Sequence, residues 1–141
     1  MEKKKVLIIY NSQKGTTKKY GNEIGKFLRS EDVDSKVISI SEFNASEIDR
    51  YDSVMLGCWT SGLLVCMQHP QQEWTDFAKK LPDLKNKKIG FFTTYKIATG
   101  SMFKKMKMHL KDKISGVSLE IKSRNGLLSE SNIKELMSFA Q

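Results

Sequence analysis

Proline, cysteine and histidine each occur only twice in the 141 residues, and these scarcities narrow the possibilities before any pattern is read. Cys58 and Cys66 are too few for a disulfide-stapled fold and agree with a reducing compartment. Together with His69 and His109 they lack the ligand spacing of a structural zinc site, so no metal is expected. Long apolar runs are missing too: none approaches the roughly 20 residues that span a bilayer. Met1-Glu2-Lys3-Lys4-Lys5 leads into a strand-like segment, not into the apolar core of a signal peptide. The expectation is a cytoplasmic protein without a membrane span. With 39% apolar and 28% charged residues, a chain of this length buries one core without staples, and residues 1–141 read as a single domain. No low-complexity linker or internal repeat interrupts it.

Positive charge is what the chain has in excess. Its net charge is +8, unevenly spread: residues 1–70 carry 10 Lys/Arg against 9 Asp/Glu, residues 71–141 carry 14 against 7. Such a field favours an acidic partner, nucleic acid or an anionic membrane surface, and composition alone does not choose. Lys104, Lys107 and Lys111 fall on one helical face, away from the Phe103/Leu110 stripe, as a solvated face would. Aromatic residues are not interleaved with them as stacking platforms, so nucleic acid is not the expected partner.

Short apolar runs alternate with helical stripes. Val6–Tyr10 reads as a first strand, and Tyr20, Ile24, Phe27 and Leu28 follow on one helix face. Val37–Ile40 is a second strand, with a helical turn near Ala45–Ile48. Ser53–Gly57 is a third, as continuously apolar as a doubly covered parallel strand. Pro70 is placed at the start of a helix with Trp74, Phe77, Ala78 and Leu81 on one face, and Pro82 closes it. Lys88–Phe92 begins a fourth strand. Gly100–Ile114 is a helix with Phe103, Met106, Leu110 and Ile114 inward, and Val117–Ile121 is a fifth, edge-like strand. Asn132 with Glu135 forms a candidate N-terminal box for a last helix. Five strands alternating with helices imply an α/β/α fold on a parallel sheet, with ligands beyond the strands' carboxyl ends. That directs attention to the loops at 11–17, 58–69 and 93–100.

The first of these loops joins a buried strand to an amphipathic helix, the order that aims a helix's free N–H groups and positive dipole end at an anion. Ser12, Thr16 and Thr17 add hydroxyls, Lys14 a charge, and Gly15 a close backbone approach. The pattern is neither a P-loop nor a three-glycine dinucleotide fingerprint, and one terminal phosphate fits it better than a pyrophosphate. An ordinary strand–helix connection, capped by its own Ser and Thr, would read the same way. The second loop carries Trp59, Thr60, Ser61 and Gly62, the third Thr94, Tyr95 and Lys96. One phosphate loop with two aromatic-bearing loops suits a flat conjugated ligand ending in a monophosphate, of which FMN is the obvious candidate.

Tyr10-Asn11-Ser12-Gln13-Lys14-Gly15-Thr16-Thr17, with Tyr51-Asp52-Ser53-Val54-Met55-Leu56-Gly57 and the loop after it, resembles the flavodoxin-like FMN-binding family, short-chain type, over nearly the whole chain. The resemblance implies a five-stranded sheet of order 2-1-3-4-5. It implies phosphate contacts from Ser12, Lys14, Gly15, Thr16 and Thr17, and Trp59, Thr60, Ser61 and Gly62 against one side of the flavin. Thr94, Tyr95 and Lys96 would lie along its other face or pyrimidine edge. The function implied is electron transfer between a reductase and an acceptor, with redox proteins, acidic ones among them, as partners. Two alternatives stay open: an FMN-dependent oxidoreductase of the quinone-reductase or protoporphyrinogen-oxidase kind, and a flavin-free interaction module. Electron-transfer flavodoxins are typically acidic, whereas this chain is basic. Of the residues outside these loops, Cys58 is expected as a buried filler, and Leu63–Met67 as a partly buried apolar stretch.

Overall fold

Four apolar residues in a row, Val6 to Ile9, are almost wholly buried, and they make an interior strand of the sheet. The computed structural model describes residues 3–61, 69–70, 72–96 and 98–141; for Ser61, His69 and Pro70 it describes the backbone only. In chain order the elements are β1 (Lys5–Asn11), α1 (Thr16–Ser30), β2 (Asp34–Ser39), two 3₁₀ turns (Ile40–Glu42 and Ala45–Arg50), β3 (Ser53–Ser61), β4 (His69–Pro70), α2 (Gln72–Lys80), β5 (Lys88–Thr94), α3 (Met102–Leu110), β6 (Leu119–Ser123) and α4 (Glu130–Phe139).

The sheet runs β2-β1-β3-β5-β6, all parallel, which is the expected order 2-1-3-4-5 once the two-residue β4 is set aside. Side chains alternate across it. Leu7, Ile9, Val54, Leu56 and Phe91 face Trp74, Phe77, Met102 and Met106 of α2 and α3. Val6, Ile8, Met55, Phe92 and Ile121 face Tyr20, Ile24, Leu28, Leu136 and Phe139 of α1 and α4. Burial on both faces requires the continuous apolar runs of β1 and β3, while edge strand β6 alternates buried and exposed. Tyr20 meets Phe92 edge to face at 5.9 Å and donates its hydroxyl to Asn132 Oδ1 at 2.6 Å, so α1 is joined to the sheet and to α4 by one residue. Burial pushes the Tyr20 hydroxyl far above its ordinary pKa, so it acts as a fixed donor.

Several boundaries differ from the sequence reading. β3 continues through Cys58-Trp59-Thr60 to Ser61, where a loop was expected, because Cys58 and Trp59 pair with Thr93 and Thr94, and Thr60 and Ser61 pair with Pro70 and His69. Pro70 therefore belongs to antiparallel β4, and α2 begins at Gln72. Thr93 and Thr94 are likewise buried strand residues, not loop. The third helix is shorter than expected, Met102–Leu110, and the last helix is capped by Ser129 in place of Asn132. Asn132 is buried inside that helix because its side chain receives the Tyr20 hydroxyl. Cys58 is fully buried, as a filler should be.

Candidate functional site

The order β2-β1-β3 means that the chain leaves β1 in one direction and returns past it in the other, and this reversal opens a crevice at the carboxyl ends of the strands. A cleft of about 290 Å³ lies there. Among the described residues, five segments build it. The turn after β1 contributes Ser12, Gln13 and Lys14, and the start of α1 adds Thr16 and Thr17. The end of β3 brings Trp59 and Thr60; the end of β5 and its turn bring Thr94, Tyr95, Lys96 and Ala98. The residue just beyond β6, Arg124, joins the lining, in which no carboxylate stands among the described residues.

The phosphate-sized loop folds locally for identifiable reasons. Gly15 has φ 93°, a left-handed conformation costly for residues with a Cβ, although open space surrounds the position itself. Ser12 Oγ accepts the Gly15 N–H at 3.0 Å and holds the turn. The Gly15 carbonyl accepts from Lys19 at 2.9 Å, the first bond of α1, and no side chain caps that helix. Its first turn contains no acidic residue either. The early N–H groups and the dipole's positive end thus open toward the cleft without an internal partner from a cap.

Thr17 is buried, and its hydroxyl shares a 2.6 Å hydrogen bond with that of Thr94. This pair ties the first turn of α1 to the end of β5, across the crevice floor. Thr60 and Thr93 make a second hydroxyl pair at 2.9 Å between β3 and β5. Trp59 is half-buried at the end of β3, and Tyr95 is half-buried one residue past β5, its N–H donating to Ser123 O. Lys122 Nζ and Arg124 Cζ each lie 5.7 Å from the centroid of the Tyr95 ring, steadying it by cation–π attraction. Lys14 and Lys96 approach closely enough that Lys14 holds the Lys96 ammonium below the ordinary lysine pKa. Two cations in contact, beside an uncapped helix start, make a place where an anion relieves repulsion.

The structure therefore brings together Ser12, Lys14, Thr16, Thr17, Trp59, Thr60, Thr94, Tyr95 and Lys96 of the residues expected from sequence, with Gly15 in the same turn. The Ser61 backbone ends β3 beside them. Gly62 and the apolar stretch Leu63–Met67, Cys66 included, lie outside the described residues. Gln13, Ala98 and Arg124 were not foreseen. Arg124 had a signal of a kind, since it lies three residues beyond the strand expected at Val117–Ile121, but its place at the cleft depends on β6 lying next to β5.

A family model described as a flavodoxin domain matches residues 7–127. The chain belongs to the flavodoxin family. The flavodoxin of Megasphaera elsdenii is 28% identical to it over 108 residues, covering 76% of this chain and 77% of that one. The solution structure of two-electron reduced M. elsdenii flavodoxin is similar with a TM-score of 0.75 and 26% identity, covering 96% of this chain and 97% of the other. Oxidised flavodoxin 1 from Bacillus cereus shares the fold at a TM-score of 0.69 and 22% identity, covering 96% and 94%. The fold is also found in rubredoxin oxygen:oxidoreductase from Desulfovibrio gigas, with a TM-score of 0.70 and 20% identity, where 99% of this chain covers 35% of that one. Among the described residues, no helix is long and apolar enough to cross a membrane.

Flavodoxins bind FMN, and the donor set at this flavodoxin cleft fits that group. An uncapped helix start and two lysines suit a monophosphate, and two aromatic side chains, Trp59 on β3 and Tyr95 just past β5, suit a planar ring.

Proposed function

We propose that this flavodoxin holds FMN in the cleft and carries electrons between a reductase and an acceptor protein. One observation carries the reading: among the described residues, the open, uncapped start of α1 lies beside a cleft walled by Trp59 and Tyr95 and lined by no carboxylate. In this reading Ser12, Lys14, Gly15 and Thr16, with the N–H of Thr17, hold the phosphate through charge-assisted bonds. Trp59, Thr60, Ser61 and Gly62 lie on one side of the ring system. Thr94, Tyr95 and Lys96 lie on the other side or along the pyrimidine edge. The bound flavin supplies the redox chemistry, while the protein binds it, orients it and limits its contact with water. Residues 1–141 act as one electron-carrying domain, in the cytoplasm. Redox partners include acidic proteins, a reading supported by the net charge of +8.

The purified protein should be yellow, with flavin absorbance bands, and should bind FMN more tightly than riboflavin. Bound flavin fluorescence should be strongly quenched, and Trp59→Ala or Tyr95→Ala should each relieve part of the quenching at a cost of about 1 kcal/mol in affinity. Equal affinity for FMN and riboflavin would remove the phosphate site from the reading. Unchanged quenching in both variants would remove the aromatic walls.

A further inference from the structure

Four cations from three separate segments converge on the mouth of the cleft. Lys14 comes from the turn after β1 and Lys96 from the turn after β5, while Lys122 and Arg124 flank the end of β6. All four are exposed. Their convergence owes nothing to helical periodicity, unlike the lysines of α3, of which Lys107 is paired with Glu120 at 3.3 Å. Among the described residues, Lys14, Lys96 and Lys122 have no carboxylate within ion-pair distance. Lys14 and Lys96 face each other instead, and Lys122 and Arg124 both gather at the Tyr95 ring.

A cofactor phosphate does not use up this charge. A phosphomonoester carries about −1.5 to −2 at neutral pH, so the three lysines of the rim alone keep an excess of roughly one when it is bound. We propose that the rim of Lys14, Lys96, Lys122 and Arg124 is the docking surface for an acidic electron-transfer protein, an inference that rests on the electron-carrier reading. Charge complementarity at the mouth would bring the partner's carboxylates to the one place where its redox centre approaches the cleft closely. Like-charge contact between Lys14 and Lys96 would be relieved in the complex, which favours a bound anionic surface over free solvent. A nucleic acid is the poorer match: in the carrier reading the free side of the Tyr95 ring faces the flavin, and the rim offers no further aromatic ring among the described residues to stack on a base.

The test titrates the FMN-loaded, isotope-labelled protein with an acidic [2Fe–2S] ferredoxin, following amide shifts at low and at high salt. Shifts should centre on residues 14–16, 95–96 and 122–124, and binding should weaken steeply with salt. The double variant K122E/R124E should lose about tenfold or more in affinity, and K104E/K111E on α3, with the same change in net charge, less than about twofold. If charge reversal prevents folding, K122Q/R124Q carries the test, with a loss of about threefold. Equal losses from the rim and α3 pairs would overturn the proposal in favour of a general field. So would shifts centred on α3, or tighter binding to a DNA duplex than to ferredoxin. Flavin absorbance is read on the same samples: failure to load FMN rejects the carrier reading, whereas normal loading without rim-dependent binding rejects the docking surface alone.

Discussion

α1 and α4 cover the same face of the sheet yet begin in opposite ways. α4 starts at Ser129, whose Oγ accepts the Asn132 N–H at 3.1 Å, and carries Glu130 in its first turn. α1 starts at a left-handed glycine with no side-chain cap and no acidic residue. A helix start must satisfy its early N–H groups somehow; α4 does so from its own sequence, and α1 has no such cap among the described residues. The helix whose start lines the cleft is thus marked by what its first turn omits.

Giving α1 the kind of start that α4 has should erase the contrast and produce the largest effect. Gly15→Asp supplies a side chain able to cap the helix and a charge that repels phosphate at close range. FMN affinity should fall by about 3 kcal/mol or more, with riboflavin affinity nearly unchanged in a fluorescence titration. Equal losses for both ligands would mean that the turn does not face the phosphate.

Breaking the bond between the two helices comes next. Tyr20→Phe leaves the buried Asn132 amide without its 2.6 Å donor, and stability in urea should drop by about 1–3 kcal/mol. Hydrogen exchange should quicken in α1 and α4 together; faster exchange in α1 alone would show that the bond does not couple them.

A smaller pair of changes separates the helices' roles. Ser129→Ala should cost about 1 kcal/mol of stability with FMN affinity unaltered. Thr16→Ala should cost about 1 kcal/mol of FMN affinity with little change in stability. The opposite assignment would reverse the comparison.

The smallest expected effect is on pH dependence. Lys14 favours the neutral form of Lys96, and a bound phosphate would favour the charged form. The complex therefore binds a proton more tightly than the free protein. FMN affinity should hold steady through neutral pH, fall as pH rises through the free-state pKa of Lys96, and level off above its bound-state value. Riboflavin, lacking the phosphate, should show no such fall, and neither should FMN with Lys96→Gln.

The alternation of Val6–Tyr10, the Tyr20-Ile24-Leu28 stripe and the Ser53–Gly57 run made the fold and the place of the cleft legible, because those patterns are local. What escaped was decided by pairing between distant segments. Trp59 and Thr60 look like loop in sequence, yet β5 and β4 supply the partners that make them strand. Arg124 reaches the cleft only through the register of β6 beside β5. Ser129, three residues before Asn132, is a cap type of equal rank, and the choice between them is made by Tyr20, whose hydroxyl donates to the Asn132 side chain across the packed helices.

The turn that follows β6 presses against the start of α1. Gly126, at φ 80°, sits so near the Thr16 carbonyl that a Cβ there would lie 2.9 Å from its oxygen. On the ribosome, then, the loop at residues 12–17 is made well before the turn that packs against it. At about 5–20 residues per second, roughly 5–20 s separate the two. During that interval the nascent chain has begun its cleft but lacks the wall that Arg124 supplies, so FMN retention is expected only once the turn after β6 has been made. A ribosome-arrested series should gain FMN retention only after Gly126 has cleared the exit tunnel.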